Sequence, residues 1–288
     1  MKPVAFEYCR PDSVAEVVAL LDEFGPDASV LAGGMSLGPM LNMRLVRPVA
    51  LIDVKRVHGM DSVAAQGAQI RTGATLRQAA AMRDAALMQS VPLLALALPH
   101  VGHFQTRNRG TLGGSVAHAD PSSEIPLALA TLGGAVELVS RRGTRRIAAR
   151  EFFVDVLTTA REPDELLTGL LWPARRAQAG HAFDEVCQRH GDFAIVAIAV
   201  EAVLDANGAL AHLALGLGGV ESRPLVADTA AFLGRAADAA LAREIAAAAA
   251  DAADPMSDLK ATADYRRALV RASGAAVLAA AFADAGRV

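Results

Sequence analysis

Apolar residues Val14, Val17, Val18, Leu21 and Phe24 recur at three- and four-residue steps behind Ser13 and Glu16, and Gly25 ends the run. That spacing predicts an amphipathic helix with a capping box at its start and a glycine stop. Residues 29–32 and 50–54 are short apolar runs and read as strands, which makes residues 1–55 a small α/β unit. Thr75 and Gln78 open a second predicted helix running to Met88, residues 92–98 a third and residues 124–132 a fourth. Residues 135–140 and 144–147 flank an Arg-Gly turn as a hairpin, and residues 166–172 form a strand stopped by Pro173.

The pattern changes at residues 174–180, which are small and polar and mark a domain boundary. Beyond them, residues 193–204 and 210–217 flank Asn207-Gly208 as a second hairpin. The alanine-rich stretch 224–285, broken at Asp254-Pro255, reads as three helices. No tandem repeat of roughly 20–50 residues interrupts this order. The expected architecture is α+β in three units, residues 1–55, 56–175 and 176–288.

Two glycine-rich segments lie between these elements: Leu31-Ala32-Gly33-Gly34-Met35-Ser36-Leu37 and Gly110-Thr111-Leu112-Gly113-Gly114-Ser115. Each joins adjacent glycines to a hydroxyl residue, the composition of a loop whose amides approach a phosphate closely. A diphosphate gripped from both sides by main-chain N–H groups is the chemistry they suggest. Charge-assisted hydrogen bonds contribute roughly 1.5–3 kcal/mol each, so a few amides suffice without a lysine. Neither segment has the Lys-Ser or Lys-Thr pair of a P-loop, and neither has the Rossmann spacing.

Composition narrows the function classes. The 288 residues carry a net charge of −3, with 53% hydrophobic and 20% charged positions, so no global basic field attracts nucleic acid. Arg141, Arg142, Arg145, Arg146 and Arg150 read as a solvated hairpin rather than a polyanion site. Cys9 and Cys187 are the two cysteines, too few for an iron–sulfur cluster of the common four-thiolate type. They fit a reduced, cytoplasmic setting better than a disulfide framework. The N-terminus has no apolar signal core, and the apolar runs at residues 93–98 and 193–200 fall far short of the roughly 20 residues of a membrane span.

The string Ala32-Gly33-Gly34-Met35-Ser36-Leu37-Gly38-Pro39, followed by Arg44, resembles the first flavin loop of the FAD-binding medium subunits of the molybdenum hydroxylases. This is the family of the carbon monoxide dehydrogenase and xanthine dehydrogenase flavin domains. Residues 107–121, from Arg107-Asn108-Arg109 to Ala119-Asp120-Pro121, resemble its second loop almost residue for residue. Gly191-Asp192-Phe193-Ala194-Ile195-Val196 resembles the stretch that opens its C-terminal domain. The similarity runs from about residue 3 to the C-terminus in the family's order.

The resemblance implies a two-subdomain FAD-binding fold (PCMH type) followed by a C-terminal sheet-plus-helices domain. It places the FAD diphosphate on Ala32, Gly33, Gly34, Met35, Ser36 and Leu37, with Met35 binding through its amide while its side chain packs. Thr111, Leu112, Gly113, Gly114 and Ser115 wrap the diphosphate and ribityl chain, and Gly114 is expected to lie against the cofactor at positive φ. Asp120 and Glu124 accept from ribose or ribityl hydroxyls, or else cap a helix. Leu167 packs on the flavin ring or in the core. Phe183 covers the isoalloxazine or packs internally, and Asp192 braces its loop.

By the same resemblance this chain holds no catalytic residue and no metal. Its partners would be a large molybdopterin-binding subunit and a small subunit with 2Fe-2S clusters, in a dimer of heterotrimers. The chain would pass electrons from those clusters through FAD to an external acceptor. A self-contained FAD-dependent oxidase or reductase is the alternative. Two further readings carry less: Gly34-Met35-Ser36-Leu37-Gly38 matches a serine-hydrolase elbow, against which Pro39 stands in the expected helix, and His100, His103 and His118 lack a convergent fourth metal ligand.

Overall fold

A computed structural model describes residues 1–287, and Val288, the last residue of the third expected unit, lies outside the described residues. Glu7–Cys9, Ala50–Asp53 and Ala28–Leu31 form a three-stranded parallel sheet with Ala50–Asp53 in its centre. Helix Val14–Phe24 buries Val17, Val18 and Leu21, and Ser13 Oγ accepts from the Glu16 amide at 3.2 Å. Glu16 in turn accepts from the Asp12 amide at 2.9 Å, one residue before the position a strict capping box would use.

The next unit is a five-stranded antiparallel sheet, ordered Val63–Gln66, Gln69–Gly73, Leu166–Pro173, Ala135–Ser140 and Gly143–Ala148. Trp172 is fully buried in it and its indole donates to Thr72 Oγ1 at 3.0 Å. The helix expected from Thr75 to Met88 is instead two, Gln78–Arg83 and Ala85–Ser90. Asp84 leaves helical geometry between them and accepts from the Leu87 amide at 3.0 Å, so a local side-chain cap wins over helix continuation.

Ala179–Val186, Val196–Leu204, Leu210–Gly218 and Leu225–Val226 form a four-stranded antiparallel sheet. Its first strand has no counterpart among the predicted elements. The C-terminal stretch holds two long helices, Ala239–Ala252 and Ala263–Ala285, in place of three, with only a 3-10 turn at Ala230–Phe232 before them. By length and composition Ala263–Ala285 could cross a membrane, contrary to the reading of the sequence. Its residues Val270, Val277, Leu278, Ala281 and Phe282, however, share one apolar core with Ile198 and Val200 of the sheet and Leu241 and Ile245 of the other helix.

The opposite face of that sheet joins the main core. Helix Glu124–Thr131 is buried at every residue and packs against strands Val196–Leu204 and Leu210–Gly218. The approach is so close that a β-carbon on Gly216 would overlap the Thr131 hydroxyl. This buried helix locks the sheet to the first two units and holds Glu124 at their junction.

Candidate functional site

A cleft of about 620 Å³ opens where the three units meet, a size usual for small-molecule sites. Strand Ala28–Leu31 delivers residues 32–37 to one wall. Gly110, Thr111, Gly113, Gly114 and Ser115 form the facing wall, Leu167 contributes from the five-stranded sheet and Thr75 from the turn after strand Gln69–Gly73, and Gly191, Asp192 and Phe193 form a rim.

The two glycine segments have different local chemistry. In the first, Gly34 has φ +72°, favoured by glycine. The amides of Gly33 through Leu37 donate to no acceptor among the described residues, whereas the Gly34 and Ser36 carbonyls accept from Gly38 and Met40 at 3.0 and 3.2 Å and start helix Leu37–Asn42. Such a row of unspent donors is what an anionic ligand requires.

In the second segment the amides other than that of Thr111 are already used. Leu112 donates to Leu76 O at 2.9 Å, Gly113 to Ala74 O at 3.0 Å, Gly114 to Thr111 Oγ1 at 3.0 Å and Ser115 to Thr111 O at 3.2 Å. Residues 112–118 are a helix capped by Thr111, not a loop, and Gly114 is helical rather than at positive φ. The expected grip from two rows of amides therefore reduces to one row. The second wall offers hydroxyls and close packing.

The chain matches the family described as "FAD binding domain in molybdopterin dehydrogenase" over residues 4–175. It also matches the "CO dehydrogenase flavoprotein C-terminal domain" over residues 181–281. It is 36% identical over 275 residues to the 6-hydroxypseudooxynicotine dehydrogenase complex subunit alpha of Paenarthrobacter nicotinovorans, covering 94% of this chain and 92% of that one. The fold superposes on carbon monoxide dehydrogenase from Hydrogenophaga pseudoflava with a TM-score of 0.95, 33% identity and 99% of each chain covered. Quinoline 2-oxidoreductase from Pseudomonas putida 86 gives a TM-score of 0.94 at 34% identity, again over 99% of each chain.

The chain belongs to the FAD-binding subunits of the molybdopterin dehydrogenases. Its relatives are flavin-binding oxidoreductase subunits, and the FAD-binding family match spans both glycine segments. The cleft's unspent amides suit the diphosphate of such a cofactor.

Ala32, Gly33, Gly34, Met35, Ser36, Leu37, Thr111, Gly113, Gly114, Ser115, Glu124 and Leu167 all line the cleft, and Leu112, Asp120 and Phe183 do not. Leu112 is fully buried in the core. Asp120 Oδ1 accepts from the Ser122 amide at 2.9 Å as a local turn brace. Phe183 stacks at a tilt on His100, ring centres 5.1 Å apart.

Three lining residues were not assigned to the cofactor from the sequence. Phe193 presents a half-exposed ring in the cleft. Its place in the Gly191-Asp192-Phe193 motif was the available clue. Gln78 forms no capping box. It is buried, lines the cleft, and its Oε1 has no hydrogen-bond partner. Arg161 is the lining guanidinium, and one of its nitrogens donates to the carbonyls of Glu162, Pro163 and Glu165 at 2.9, 3.2 and 2.7 Å.

The competing chemistries find little support in these positions. No hydrogen bond joins the Ser36 hydroxyl to a histidine or a carboxylate among the described residues. Pro39 does sit within helix Leu37–Asn42, tolerated because first-turn amides have no intrahelical partner, so its presence is no argument against the elbow. His118 lines the cleft while His100 lies beside Glu185, and no group of three or more metal-ligating side chains is found among the described residues. The arginine hairpin is paired: Arg145 with Glu165 at 2.5 Å, Arg146 with Glu137 at 3.2 Å, Arg141 with Asp22 at 3.2 Å, and Arg142 with Asp164.

Proposed function

We propose that this chain is the FAD-carrying electron-transfer subunit of a heterotrimeric molybdenum hydroxylase. The observation that carries the reading is the row of unpartnered amides from Gly33 to Leu37 facing the Thr111 and Ser115 hydroxyls across one cleft. The amides and the Ser36 hydroxyl hold the diphosphate. Glu124 and Gln78 meet polar groups of the cofactor, and Leu167 and Phe193 bound its flat ring system. Residues 1–55 and 56–175 form the two FAD-binding subdomains, and residues 176–288 close the cleft with the Gly191–Phe193 rim.

Bound FAD accepts electrons singly and releases them in pairs, which makes it an exit port from one-electron carriers. Two distant cysteines cannot ligate such carriers on this chain. A small 2Fe-2S subunit supplies them, a large molybdopterin-binding subunit performs the hydroxylation, and two heterotrimers pair in the cytoplasm. This chain's residues retain the cofactor, orient it and exclude water around it.

The test is purification of the full chain alone and with its partners. Alone it should take up one FAD, released intact on denaturation, and show no hydroxylase activity. With partners it should copurify with molybdenum and iron. A folded chain that never takes up FAD, or one that hydroxylates substrate with FAD as its only cofactor, overturns the reading.

A further inference from the structure

Behind the cleft lies an arrangement that cofactor binding alone does not explain. Glu124, at the first turn of the buried helix Glu124–Thr131, is 5% exposed, lines the cleft and forms no ion pair among the described residues. Glu185, on strand Ala179–Val186, has a 1% exposed side chain, and neither of its carboxylate oxygens has a hydrogen-bond partner among the described residues. His100 Nδ1 stands 3.5 Å from Glu185 Oε1, an ion-pair distance too long for a well-formed hydrogen bond. Phe183 and His190 pack around the same imidazole. Isolated buried charge is costly. Two carboxylates and one imidazole meet here, where helix Glu124–Thr131 packs beside the 3-10 turn Leu98–His100.

We infer that Glu124 stands in the cleft as a neutral carboxylic acid that donates a hydrogen bond to the bound cofactor, and that the Glu185–His100 pair beside it decides whether it keeps that proton. The inference rests on the FAD reading above. Burial, with Glu185 and Asp120 nearby, pushes the Glu124 carboxyl up to about 7, against the opposing pull of its own amide and of His100. Glu185 in turn holds His100 above its ordinary value. The other titratable or charged groups around this junction are Asp184 and Cys187 beside Glu185, His118 on the preceding helix, and Arg161, Glu165 and Asp192 in the cleft lining. A neutral Glu124 also spares an anionic ligand the repulsion of a charge in the same cleft.

The sign follows from linkage. The protonated form binds, so FAD affinity is full below the free carboxyl's value and falls above it, by at most about tenfold per pH unit for one proton. The experiment titrates FAD into the stripped full-length chain by quenching of flavin fluorescence, from about pH 6 to about pH 9. Wild type should lose at least tenfold in affinity across that range, while Glu124→Gln, a permanently neutral donor, should give a flat profile. Glu185→Gln removes the negative charge that favours the proton and should move the fall to lower pH. His100→Ala removes the opposing cation and should move it to higher pH. Opposite displacements from two residues outside the cleft lining are not expected of a merely structural role. Glu185→Gln keeps the size of a buried side chain whose oxygens have no hydrogen-bond partner among the described residues, so that variant should fold. A flat wild-type profile with FAD bound, or displacements in the same direction, overturns this inference alone. Failure to bind FAD at any pH overturns the FAD reading as well.

Discussion

Gly33 crosses the carbonyl of Arg109 so closely that a β-carbon at residue 33 would stand 2.4 Å from that oxygen and 2.9 Å from the α-carbon of Gly110. The glycine is needed where the two walls of the cleft touch, backbone against backbone. Gly113 does the same against Ala74, where a β-carbon would stand 2.6 Å from the α-carbon. Gly33 therefore sets the separation of the walls, and Gly113 seats its helix against the turn at Ala74.

Gly33→Ala should push the two segments apart. Forced overpacking costs about 1–3 kcal/mol, and FAD affinity should fall at least tenfold because the amide row moves. Gly38→Ala is the control, since a β-carbon there meets nothing within 4 Å, and it should bind FAD as wild type does. Thermal denaturation and FAD titration on both variants check this. Equal affinities for the two would show that the wall contact does not set the site.

Thr111→Val should destabilise the protein by about 1 kcal/mol, the usual cost of losing an N-cap, because Thr111 Oγ1 accepts from the Gly114 amide at 3.0 Å. Gly114→Ala acts on the same contact from the other side, with its β-carbon 2.7 Å from that oxygen. The double variant should therefore cost less than the sum of the two. Chemical denaturation of the three variants is the measurement, and strict additivity would count against the shared cap.

Much of the cleft was legible because glycine pairs and hydroxyls have few other uses in that setting, and twelve of the fifteen expected residues do line it. What stayed hidden depends on contacts made at a distance in sequence. Phe183 and Phe193 are indistinguishable as isolated aromatics, yet one turns toward His100 and the other into the cleft. Strand Ala179–Val186 was hidden by its composition: small and charged residues where a strand usually shows apolar alternation. It forms by pairing along its whole length with Val196–Leu204. Helix Leu112–His118 was masked by its own glycines, which have low intrinsic propensity and are accommodated here by tertiary packing.

Glu201 gives a prediction about pH and stability. Burial pushes this carboxylate up, but hydrogen bonds with His181 and Arg176, together with the His212 imidazole 3.3 Å away, more than offset that and hold it well below the ordinary range. Its contribution is therefore present above its unfolded value of about 4.3 and is lost progressively as pH falls below that. Glu201→Gln should cost about 3 kcal/mol at neutral pH, the scale for breaking a buried pair. The gap to wild type should narrow in urea denaturation as the pH is lowered past about 4. A gap that widens on acidification would contradict the depressed carboxylate.

The two phenylalanines separate cofactor contact from packing. Phe193 is 50% exposed in the cleft, with Lys260 Nζ 5.6 Å from its ring centre, so few protein contacts depend on its inward face. Phe193→Ala should lower FAD affinity several-fold, since an aromatic contact contributes about 0.5–1.5 kcal/mol, and should change the visible flavin spectrum with little effect on melting. Phe183 packs against the main core and His100 but does not line the cleft. Phe183→Ala should cost about 2 kcal/mol of fold stability, below the range for a fully buried ring, with the flavin spectrum unchanged. Were the spectral change to follow Phe183 instead, the ring system would lie on the His100 side, and the assignment of Phe193 to the cofactor would be lost.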